Sequence, residues 1–308
     1  EGKKEEMSRI AINRPGAIGD IIMISNCLPK LRERYDEIDL FCHHSIGDIL
    51  GNFLKENEVV DRVGDSSNFV ESNYDKVVNC IGYPLNEGYP DVKMGKHLVD
   101  YFADELGVEN CFDDLLFKLP DFPLGISRDD PYITIQNKTG WSVYKEWWGW
   151  QDLVNKIKQE LPQIGIYQIG GPNDPPLVNI DGKYLGESFD TNLAVQCYSR
   201  VHLGLDSVFN HTSNIKWHGI GKKSCVIMFG STQYDASGYS HNTNISLQLP
   251  CQPCFRENPD ISTMSKGVCP NPLDQTYENP KHRCMADITV DMVYDAMVEI
   301  LDRPRGIE

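Results

Sequence analysis

A polar hexapeptide at residues 206–211, placed between two apolar runs, restricts the fold more than any other feature of this chain. The run Val201–Leu205 precedes it, and residues 225–229 follow it. Apolar runs of this length are typical of buried strands, and a polar turn that opens a helix between two of them predicts a parallel βαβ unit. The first turn of such a helix leaves backbone N–H groups without partners, so it favours an anion such as a phosphate.

The same order of strand, turn and helix recurs near the start of the chain, where Gly16-Ala17-Ile18-Gly19-Asp20 follows an apolar run. Alternation of strands and helices continues in both halves, which is typical of parallel sheets covered by helices. We predict strands at 9–13, 38–42, 75–80, 132–136, 164–169, 201–205 and 225–229. We predict helices at 18–34, 46–56, 96–107, 149–161 and 191–198, and an amphipathic helix that ends near Leu301.

The length of 308 residues allows about two domains of roughly 150 residues each. Prolines and a Ser-Arg-Asp-Asp turn signal place a linker within residues 111–130. We therefore predict an N-terminal Rossmann-like domain at 7–125 and a C-terminal one at 131–290, with a terminal helix at 291–303 that packs back on the N-terminal domain. The predicted class is α/β, with two parallel-sheet domains facing a central cleft.

The charge balance argues against a nucleic-acid partner. The chain has 29 lysines and arginines against 45 aspartates and glutamates, a formal net charge of −16, so a nucleic acid would be repelled. No apolar run approaches the roughly 20 residues that span a bilayer, and residues 1–6 lack the apolar core of a signal peptide. We expect a cytoplasmic protein without a transmembrane segment.

Ten cysteines fall into two groups. Six are scattered, mostly within apolar patterns, and we expect them in the core as reduced thiols: Cys27, Cys42, Cys80, Cys111, Cys197 and Cys225. Four cluster in a segment rich in Pro and Asn: Cys251, Cys254, Cys269 and Cys284. Four thiolates that include a Cys-x-x-Cys pair can close a structural shell around zinc or iron, with His282 as an alternative ligand. A reducing compartment disfavours the alternative of two disulfides, and the clustering disfavours four free thiols.

Four motifs in this order resemble those of glycosyltransferase family 9, which contains the lipopolysaccharide heptosyltransferases. The first is the glycine-rich turn at 16–20, which ends in Gly-Asp, and the second is Tyr144-Lys145-Glu146-Trp147 ahead of a helix. The third is the Gly-Gly turn at 169–174, and the fourth is the hexapeptide 206–211. The resemblance covers roughly residues 9–301. It implies a GT-B fold in which the C-terminal domain holds most of the donor.

The resemblance assigns catalysis to Asp20 and Lys145. In this family the aspartate after the glycines is thought to deprotonate the acceptor hydroxyl, and Gly16 and Gly19 allow tight backbone geometry. The alternative role for Asp20 is a plain helix cap. Lys145 matches the lysine that contacts the donor pyrophosphate, where an ammonium offsets charge that grows in the transition state. Lys138 is the alternative cation for the pyrophosphate. The alternative role for Lys145 is that of a solvated loop lysine that contacts no ligand.

The third and fourth motifs imply further donor contacts. Asp174 is the nearest match to the acidic residue that holds the nucleoside ribose, and a plain turn is equally consistent. Four residues of the hexapeptide match the family's diphosphate-binding motif: Asp206, Ser207, Asn210 and His211. Val208 stands where glycine is usual, and the alternative is a capping aspartate beside a core histidine. Ser231, in the loop after the next strand, resembles a further donor-side residue.

The resemblance implies an inverting glycosyltransferase that transfers a sugar from a nucleotide-sugar donor, with ADP-heptose expected, to a glycan, lipid-linked or protein acceptor, as in lipopolysaccharide biosynthesis. No catalytic divalent metal is expected, because Lys145 and the helix N-terminus supply positive potential. The heptosyltransferases that modify autotransporters are similar in carrying an iron on a cysteine finger, so structural iron or zinc is expected within 251–284.

Three other functions compete with this one. The first is a noncatalytic sugar-nucleotide-binding protein of the same fold. The second is a nicotinamide dehydrogenase, for which Gly16 and Gly19 supply only part of the Gly-x-Gly-x-x-Gly pattern. The third is a zinc-ribbon nucleic-acid module, which conflicts with the negative charge.

Overall fold

The computed structural model describes residues 8–82, 96–109, 111–113, 115–140, 143–232, 234–253 and 281–303. The chain divides into two compact units. The first unit comprises Glu1–Lys118 together with Lys216–His218, and the second comprises Leu119–Ile215 together with Gly219–Glu308. The division after Lys118 falls within the segment 111–130, where the prolines indicate a linker.

The first unit is built on a four-stranded parallel sheet in the order β3-β2-β1-β4. The described strands are β1 (Arg9–Asn13), β2 (Glu37–Cys42), β3 (Arg62–Asp65), β4 (Lys76–Asn79) and, outside this sheet, β5 (Leu116–Phe117). The described helices are α1 (Ile18–Ser25), α2 (Leu28–Arg32), α3 (His44–Glu56) and α4 (Leu98–Leu106). The middle strands β1 and β2 are buried along most of their length, which explains why apolar residues predominate in them.

The helix predicted at 18–34 is two helices in the structure. At the end of α1 the Asn26 side-chain amide donates to the carbonyl oxygens of Ile22 (2.9 Å) and Met23 (3.2 Å), which satisfies acceptors where the helix stops. Pro29, in the first turn of α2, has no N–H to donate, and its ring crowds the preceding turn. The break therefore follows from one capping amide and one proline.

The second unit is built on a six-stranded parallel sheet in the order β12-β11-β9-β6-β7-β8. Its strands are β6 (Tyr132–Ile135), β7 (Gly165–Gly170), β8 (Gly182–Leu185), β9 (Val201–Leu205), β11 (Cys225–Met228) and β12 (Thr243–Ile245). Its described helices are α5 (Trp150–Glu160), α6 (Phe189–Tyr198), α7 (Val208–Thr212), α8 (Tyr234–Ser237), α9 (Arg283–Ala286) and α10 (Val290–Leu301). The strand β10 (Lys216–Trp217) belongs to the first unit, where it pairs with β5.

Two parallel sheets with connecting helices confirm the predicted α/β class and its two Rossmann-like sheets. The structure adds the short strands β3, β8 and β12, which the sequence pattern did not predict. These strands are only partly buried along most of their length, so they lack the apolar run that marks a core strand. None of the helices in the described part of the chain has both the length and the apolarity that crossing a bilayer requires.

The terminal helix α10 packs on the second unit, and its predicted contact with the N-terminal domain stays a prediction. It contacts α5, β9 and β11, and its inward face contributes Val293 and Met297, both fully buried, to the core of that unit. The same core contains Trp147 and Trp150, which supply a large apolar surface for the helix to cover. Burial of this apolar face explains the placement.

The six scattered cysteines are buried in the core, as predicted. All six have relative exposures of 1% or less: Cys27, Cys42, Cys80, Cys111, Cys197 and Cys225. Burial raises the pKa of the Cys42 thiol to about 11, with smaller contributions from nearby carboxylates. A thiol with a raised pKa is a poor nucleophile, so Cys42 acts as a core residue.

Replacement of Met297 by alanine tests whether α10 belongs to the core of the second unit. A buried Met→Ala change leaves a cavity and costs about 2–5 kcal/mol, so we expect a loss of that size in the free energy of unfolding measured with urea. Met292 lies on the same helix with 39% of its surface exposed, and Met292→Ala is the matched control. The control is expected to lose less than about 1 kcal/mol. Equal losses in the two variants would contradict this packing.

Candidate functional site

Four strands of the second sheet end along one edge, and the segments that follow them carry predicted site residues. Gln136 follows β6, Gly170 ends β7, Asp206 follows β9 and Phe229 follows β11. Because these strands are parallel, their carboxyl ends lie along the same edge, which is where open α/β sheets bind ligands. Motifs that are far apart in the sequence are therefore gathered at one place in the second unit.

Asp206 is the centre of this edge. Its Oδ2 atom lies 2.6 Å from Lys145 Nζ and accepts a hydrogen bond of 2.7 Å from Thr232 Oγ1. Its Oδ1 atom accepts a hydrogen bond of 3.1 Å from Ser237 Oγ. With only 5% of its surface exposed, Asp206 has all these partners inside the protein.

Two opposing effects act on the pKa of Asp206. Burial by itself would raise the pKa, because an isolated carboxylate loses hydration in the interior. The charges of Lys145 and His211, together with the hydrogen bonds from Lys145 and Thr232, outweigh burial and lower the pKa to about 2. Asp206 is therefore an anion at neutral pH, and Lys145 has a permanent counter-ion.

Lys145 is the partner that reaches the surface, because its side chain is 22% exposed and that of Asp206 only 5%. Its ammonium has three N–H donors, and the bonds to Asp206 use two of them, one to Oδ2 and one of 3.2 Å to the backbone carbonyl. The third N–H has no hydrogen-bond partner among the described residues. Lys145 can therefore keep its buried counter-ion and still donate to an anionic ligand.

Gly230 helps to place Lys145 beside Asp206. A Cβ atom at Gly230 would lie 2.5 Å from the carbonyl oxygen of Tyr144 and 2.8 Å from the side chain of Met285. Only a residue without a side chain lets the Tyr144 backbone approach the loop after β11 so closely. The glycine thus holds the lysine segment against the loop that carries Thr232.

The second predicted cation is also paired. Lys138 Nζ lies 2.7 Å from Glu146 Oε1. Gln136 connects this part of the edge to the next strand, because its amide donates to the Lys138 carbonyl while its Oε1 accepts a 2.7 Å bond from Ser207 Oγ. Since both lysines face carboxylates, the positive potential at this edge is smaller than two lysines alone would produce.

Asp174 closes the turn that follows β7. Its Oδ2 atom accepts a 2.9 Å hydrogen bond from the Gly171 N–H. Burial raises the pKa of Asp174, and the Gly171 amide and the Lys138 charge oppose that rise. Gly170 has φ +152°, and a Cβ there would lie 2.1 Å from the same Oδ2. These contacts match the turn-forming role, and the ribose contact of Asp174 stays a prediction.

The remaining residues that are predicted to contact the nucleotide-sugar donor are all buried, and they differ in their hydrogen-bond partners. Asn210 has no exposed surface; its amide donates 2.7 Å to the Ser237 carbonyl and its oxygen accepts from Asn242. Its contact with the nucleotide-sugar donor stays a prediction. His211 is 6% exposed and its Nδ1 lies 3.2 Å from Tyr239 Oη. Ser231 is 2% exposed and precedes Thr232, the residue in this loop that binds Asp206.

In the first unit, Asp20 lies in the first turn of α1 and is held by two donors. Its Oδ2 atom accepts from the Ala17 N–H (3.1 Å) and from Arg14 Nη2 (2.8 Å). The contact with the Ala17 N–H is a helix cap, which is the alternative role predicted for Asp20 from the sequence. A Cβ at Gly16 would lie 2.5 Å from both Arg14 Nε and Asp20 Oδ2, so this turn requires a glycine; Gly19 lies in α1 itself.

Sequence reasoning missed several residues that the structure places at these two edges. They are Arg14, Gln136, Glu146, Thr232 and Ser237. Arg14 and Gln136 directly follow strands β1 and β6, and polar residues at that position in a parallel sheet were the available signal. Thr232 and Ser237 carried no such signal, because only the fold brings them to Asp206.

The four clustered cysteines are partly described. Cys251 is half-buried and Cys284 is buried; Cys254 and Cys269 lie outside the described residues. Among the described residues no three His, Cys, Asp or Glu side chains form a group that could hold a metal ion. His282 is 1% exposed, neither of its ring nitrogens has a hydrogen-bond partner among the described residues, and burial lowers its pKa to about 4. A buried neutral imidazole and two nearby thiols in the sequence are donors that fit zinc or iron.

Comparison with solved structures identifies the fold. No protein-family model matches the sequence, and no curated protein sequence matches it. The iron-containing dodecameric glycosyltransferase TibC from enterotoxigenic E. coli superposes with a TM-score of 0.70 at 12% identity, covering 96% of this chain and 79% of TibC. The chain has the GT-B fold of these glycosyltransferases.

Two further structures support the same fold. A glycosyl transferase of family 9 from Veillonella parvula has a TM-score of 0.65 at 15% identity, with 98% of this chain and 99% of that one covered. The E. coli ADP-heptose lipopolysaccharide heptosyltransferase II has a TM-score of 0.59 at 12% identity, with 95% and 98% covered. At these identities the likeness establishes the fold, while the activity has to be argued from the site.

Asp206→Asn tests the charge balance at the second-unit edge. With a pKa of about 2 when folded and about 3.9 when unfolded, ionised Asp206 stabilises the native state by about 2–3 kcal/mol at neutral pH. Because the folded pKa is the lower one, this contribution is complete above about pH 4 and is lost as the pH falls towards 2. We expect the difference in unfolding free energy between wild type and variant, measured with urea, to shrink across that window.

The matched control is Asp302→Asn, which changes an exposed aspartate of the same unit. The free energy of unfolding of this control is expected to differ little from that of the wild type, by an amount that stays constant between pH 7 and pH 2. A difference for Asp206→Asn that does not change with pH would contradict the lowered pKa.

Proposed function

We propose that this chain is an inverting glycosyltransferase that transfers a sugar from a nucleotide-sugar donor, with ADP-heptose as the expected donor, to a hydroxyl of a glycan, lipid-linked or protein acceptor. The observation that carries the proposal is the Lys145–Asp206 pair at the carboxyl edge of a sheet with the GT-B fold. Solved structures of similar fold support the choice of donor. TibC has been crystallised with ADP-D-beta-D-heptose, and the E. coli heptosyltransferase WaaC with ADP.

In this proposal the second unit binds the donor. The third N–H of Lys145 donates to the diphosphate, whose negative charge increases as the bond to the sugar breaks. A hydrogen-bond donor such as this N–H, placed where negative charge grows, stabilises the transition state more than the ground state. Thr232 and Ser237 hold the Asp206 carboxylate in one orientation. The carboxylate in turn holds the Lys145 ammonium in place for the contact with the diphosphate. The lysine then needs no rearrangement during the reaction.

The first unit supplies the base. Oδ2 of Asp20 is occupied by the Arg14 and Ala17 donors, so Oδ1 is the oxygen that takes the proton from the acceptor hydroxyl. The acceptor oxygen forms its bond to the anomeric carbon as the carbon–oxygen bond to the diphosphate breaks, and the diphosphate leaves with the electron pair. One displacement at that carbon inverts its configuration.

We propose a structural iron or zinc on Cys251, Cys254, Cys269 and Cys284. A metal bound by four protein ligands supplies a cross-link between chain segments and has no position for substrate. The iron-containing TibC structure and the buried, unpaired His282 support this assignment. We place the reaction in the cytoplasm, a reducing compartment in which cysteines stay available as metal ligands.

A transfer assay with Asp20→Asn tests the proposed reaction. The wild-type protein is screened with ADP-, UDP-, GDP- and CDP-sugars by thermal shift, since a bound ligand stabilises the native state, and the binding donor is then used in a transfer assay. Asp20→Asn is expected to lower turnover by about 10²–10⁴-fold, the contribution typical of a general base, and to leave the donor-induced shift unchanged. Asp104→Asn, at an exposed aspartate of the same unit, is the control and is expected to keep full turnover.

Two results would overturn this assignment. Full turnover by Asp20→Asn would remove Asp20 from the mechanism. Donor binding by the wild-type protein without transfer to any glycan, lipid-linked or protein acceptor would instead support the noncatalytic sugar-nucleotide-binding protein considered from the sequence.

Metal analysis of the purified protein tests the cysteine site. Handled under reducing conditions without chelators, the wild-type protein is expected to contain about one iron or zinc per chain by elemental analysis. Cys284→Ser is expected to lose most of that metal, because it removes one thiolate ligand. Cys42→Ser changes a buried thiol of the first unit and is expected to keep the metal. Absence of both metals from the wild-type protein would contradict the proposal.

A further inference from the structure

We propose that Arg14 is a positioning residue that presents one defined oxygen of Asp20 to the acceptor hydroxyl. The inference deepens the proposed function and rests on the role given there to Asp20. Neither the sequence motifs nor the comparisons assign a role to Arg14. The contacts of its guanidinium group assign it this role.

Arg14 is fixed on several sides. Its Nη1 donates 2.7 Å to the Cys80 carbonyl, its Nη2 lies 2.8 Å from Asp20 Oδ2, and its guanidinium carbon lies 5.8 Å from the centre of the Phe102 ring. The side chain is only 8% exposed. A planar guanidinium that is held by hydrogen bonds at two of its nitrogens cannot rotate without breaking one of them. The position of Asp20 Oδ2, which it binds, is therefore fixed too.

The two oxygens of Asp20 differ as a result. Oδ2 accepts from both Arg14 and the Ala17 N–H, whereas no hydrogen bond to Oδ1 occurs within the described residues. The Asp20 side chain is 23% exposed, so the carboxylate is accessible from outside. A carboxylate held through one oxygen presents the other in a constant direction, which is what proton transfer over hydrogen-bond distance requires.

Helix capping alone does not account for Arg14. The Ala17 N–H already makes the capping contact with Asp20, and it needs no arginine. Arg14 Nε is buried without a hydrogen-bond partner in the described structure, which is unfavourable for stability. Gly16 lies against both side chains, at a position where a Cβ would come within 2.5 Å of each. The ion pair between Arg14 and Asp20 is thus kept although it leaves Arg14 Nε without a partner and leaves no room for a side chain at position 16.

Another arginine–aspartate pair of the same unit gives a matched comparison. Arg32 Nη1 lies 2.6 Å from Asp61 Oδ2, but the two side chains are 30% and 44% exposed. An exposed pair of this kind contributes little to stability and does not touch Asp20. Arg32→Gln therefore removes an arginine–aspartate pair of the same unit without affecting the proposed base.

The test is a double-mutant cycle on turnover with the donor found for the wild-type protein. Arg14→Gln is expected to lower kcat by about 100-fold, since a misplaced reacting group costs about that much, while KM for the donor stays within about twofold. Arg14→Lys keeps the charge and is expected to recover part of the lost kcat. Arg14→Gln combined with Asp20→Asn is expected to be no slower than Asp20→Asn alone, because Arg14 acts only through Asp20. Circular dichroism and urea unfolding check that each variant is folded, and Arg32→Gln is expected to keep full kcat.

The outcomes separate this inference from the proposed function. Wild-type protein that transfers no sugar defeats the proposed function. Wild-type protein that transfers sugar while Arg14→Gln keeps full kcat defeats the inference alone. Losses for Arg14→Gln and Asp20→Asn that multiply in the double variant also defeat it, because they would show that Arg14 acts independently of the carboxylate.

Discussion

The ion pair between Lys145 and the buried Asp206 organises the second unit's site. Removing a carboxylate from water is unfavourable unless it finds close partners, and here Thr232 and Ser237 supply hydrogen bonds in addition to the charge of Lys145. The pair links the segment before α5 to the end of β9 and to the residues after β11. Because its partners come from separate parts of the sheet, the pair forms only when the whole edge has folded.

The first unit repeats this design with different residues. Asp20 follows β1 as Asp206 follows β9, and each carboxylate is bound to a cation on its own unit. The surroundings separate their roles. Asp206 is almost fully buried, so it serves as the fixed counter-ion of Lys145, whereas Asp20 is partly exposed and its Oδ1 accepts no hydrogen bond from the described residues. In both units the carboxylate lies in the segment that follows a parallel strand, and it is held by a cation together with further hydrogen-bond donors.

The sequence predicted the fold well where apolar runs are long. The five-residue strands β1 and β9 lie where their patterns placed them, because strands buried on both faces need continuous apolar residues. Partly buried strands such as β3 and β8 lacked that signal. For the site, the motifs marked Asp20, Lys145, Asp206 and Asn210 as candidates, but they did not indicate the partners that the structure gives these side chains.

By itself the sequence determined the parallel α/β class and the strand ends at which polar residues gather, since both depend on local patterns of apolar and polar residues. Only the tertiary structure decided which charges meet. Lys145 and Asp206 are 61 residues apart, and Ser237 is a further 31 residues away, so no local pattern relates them. Contacts between side chains on different strands depend on strand order and on close backbone approaches such as that at Gly230, which exist only once the sheet has formed.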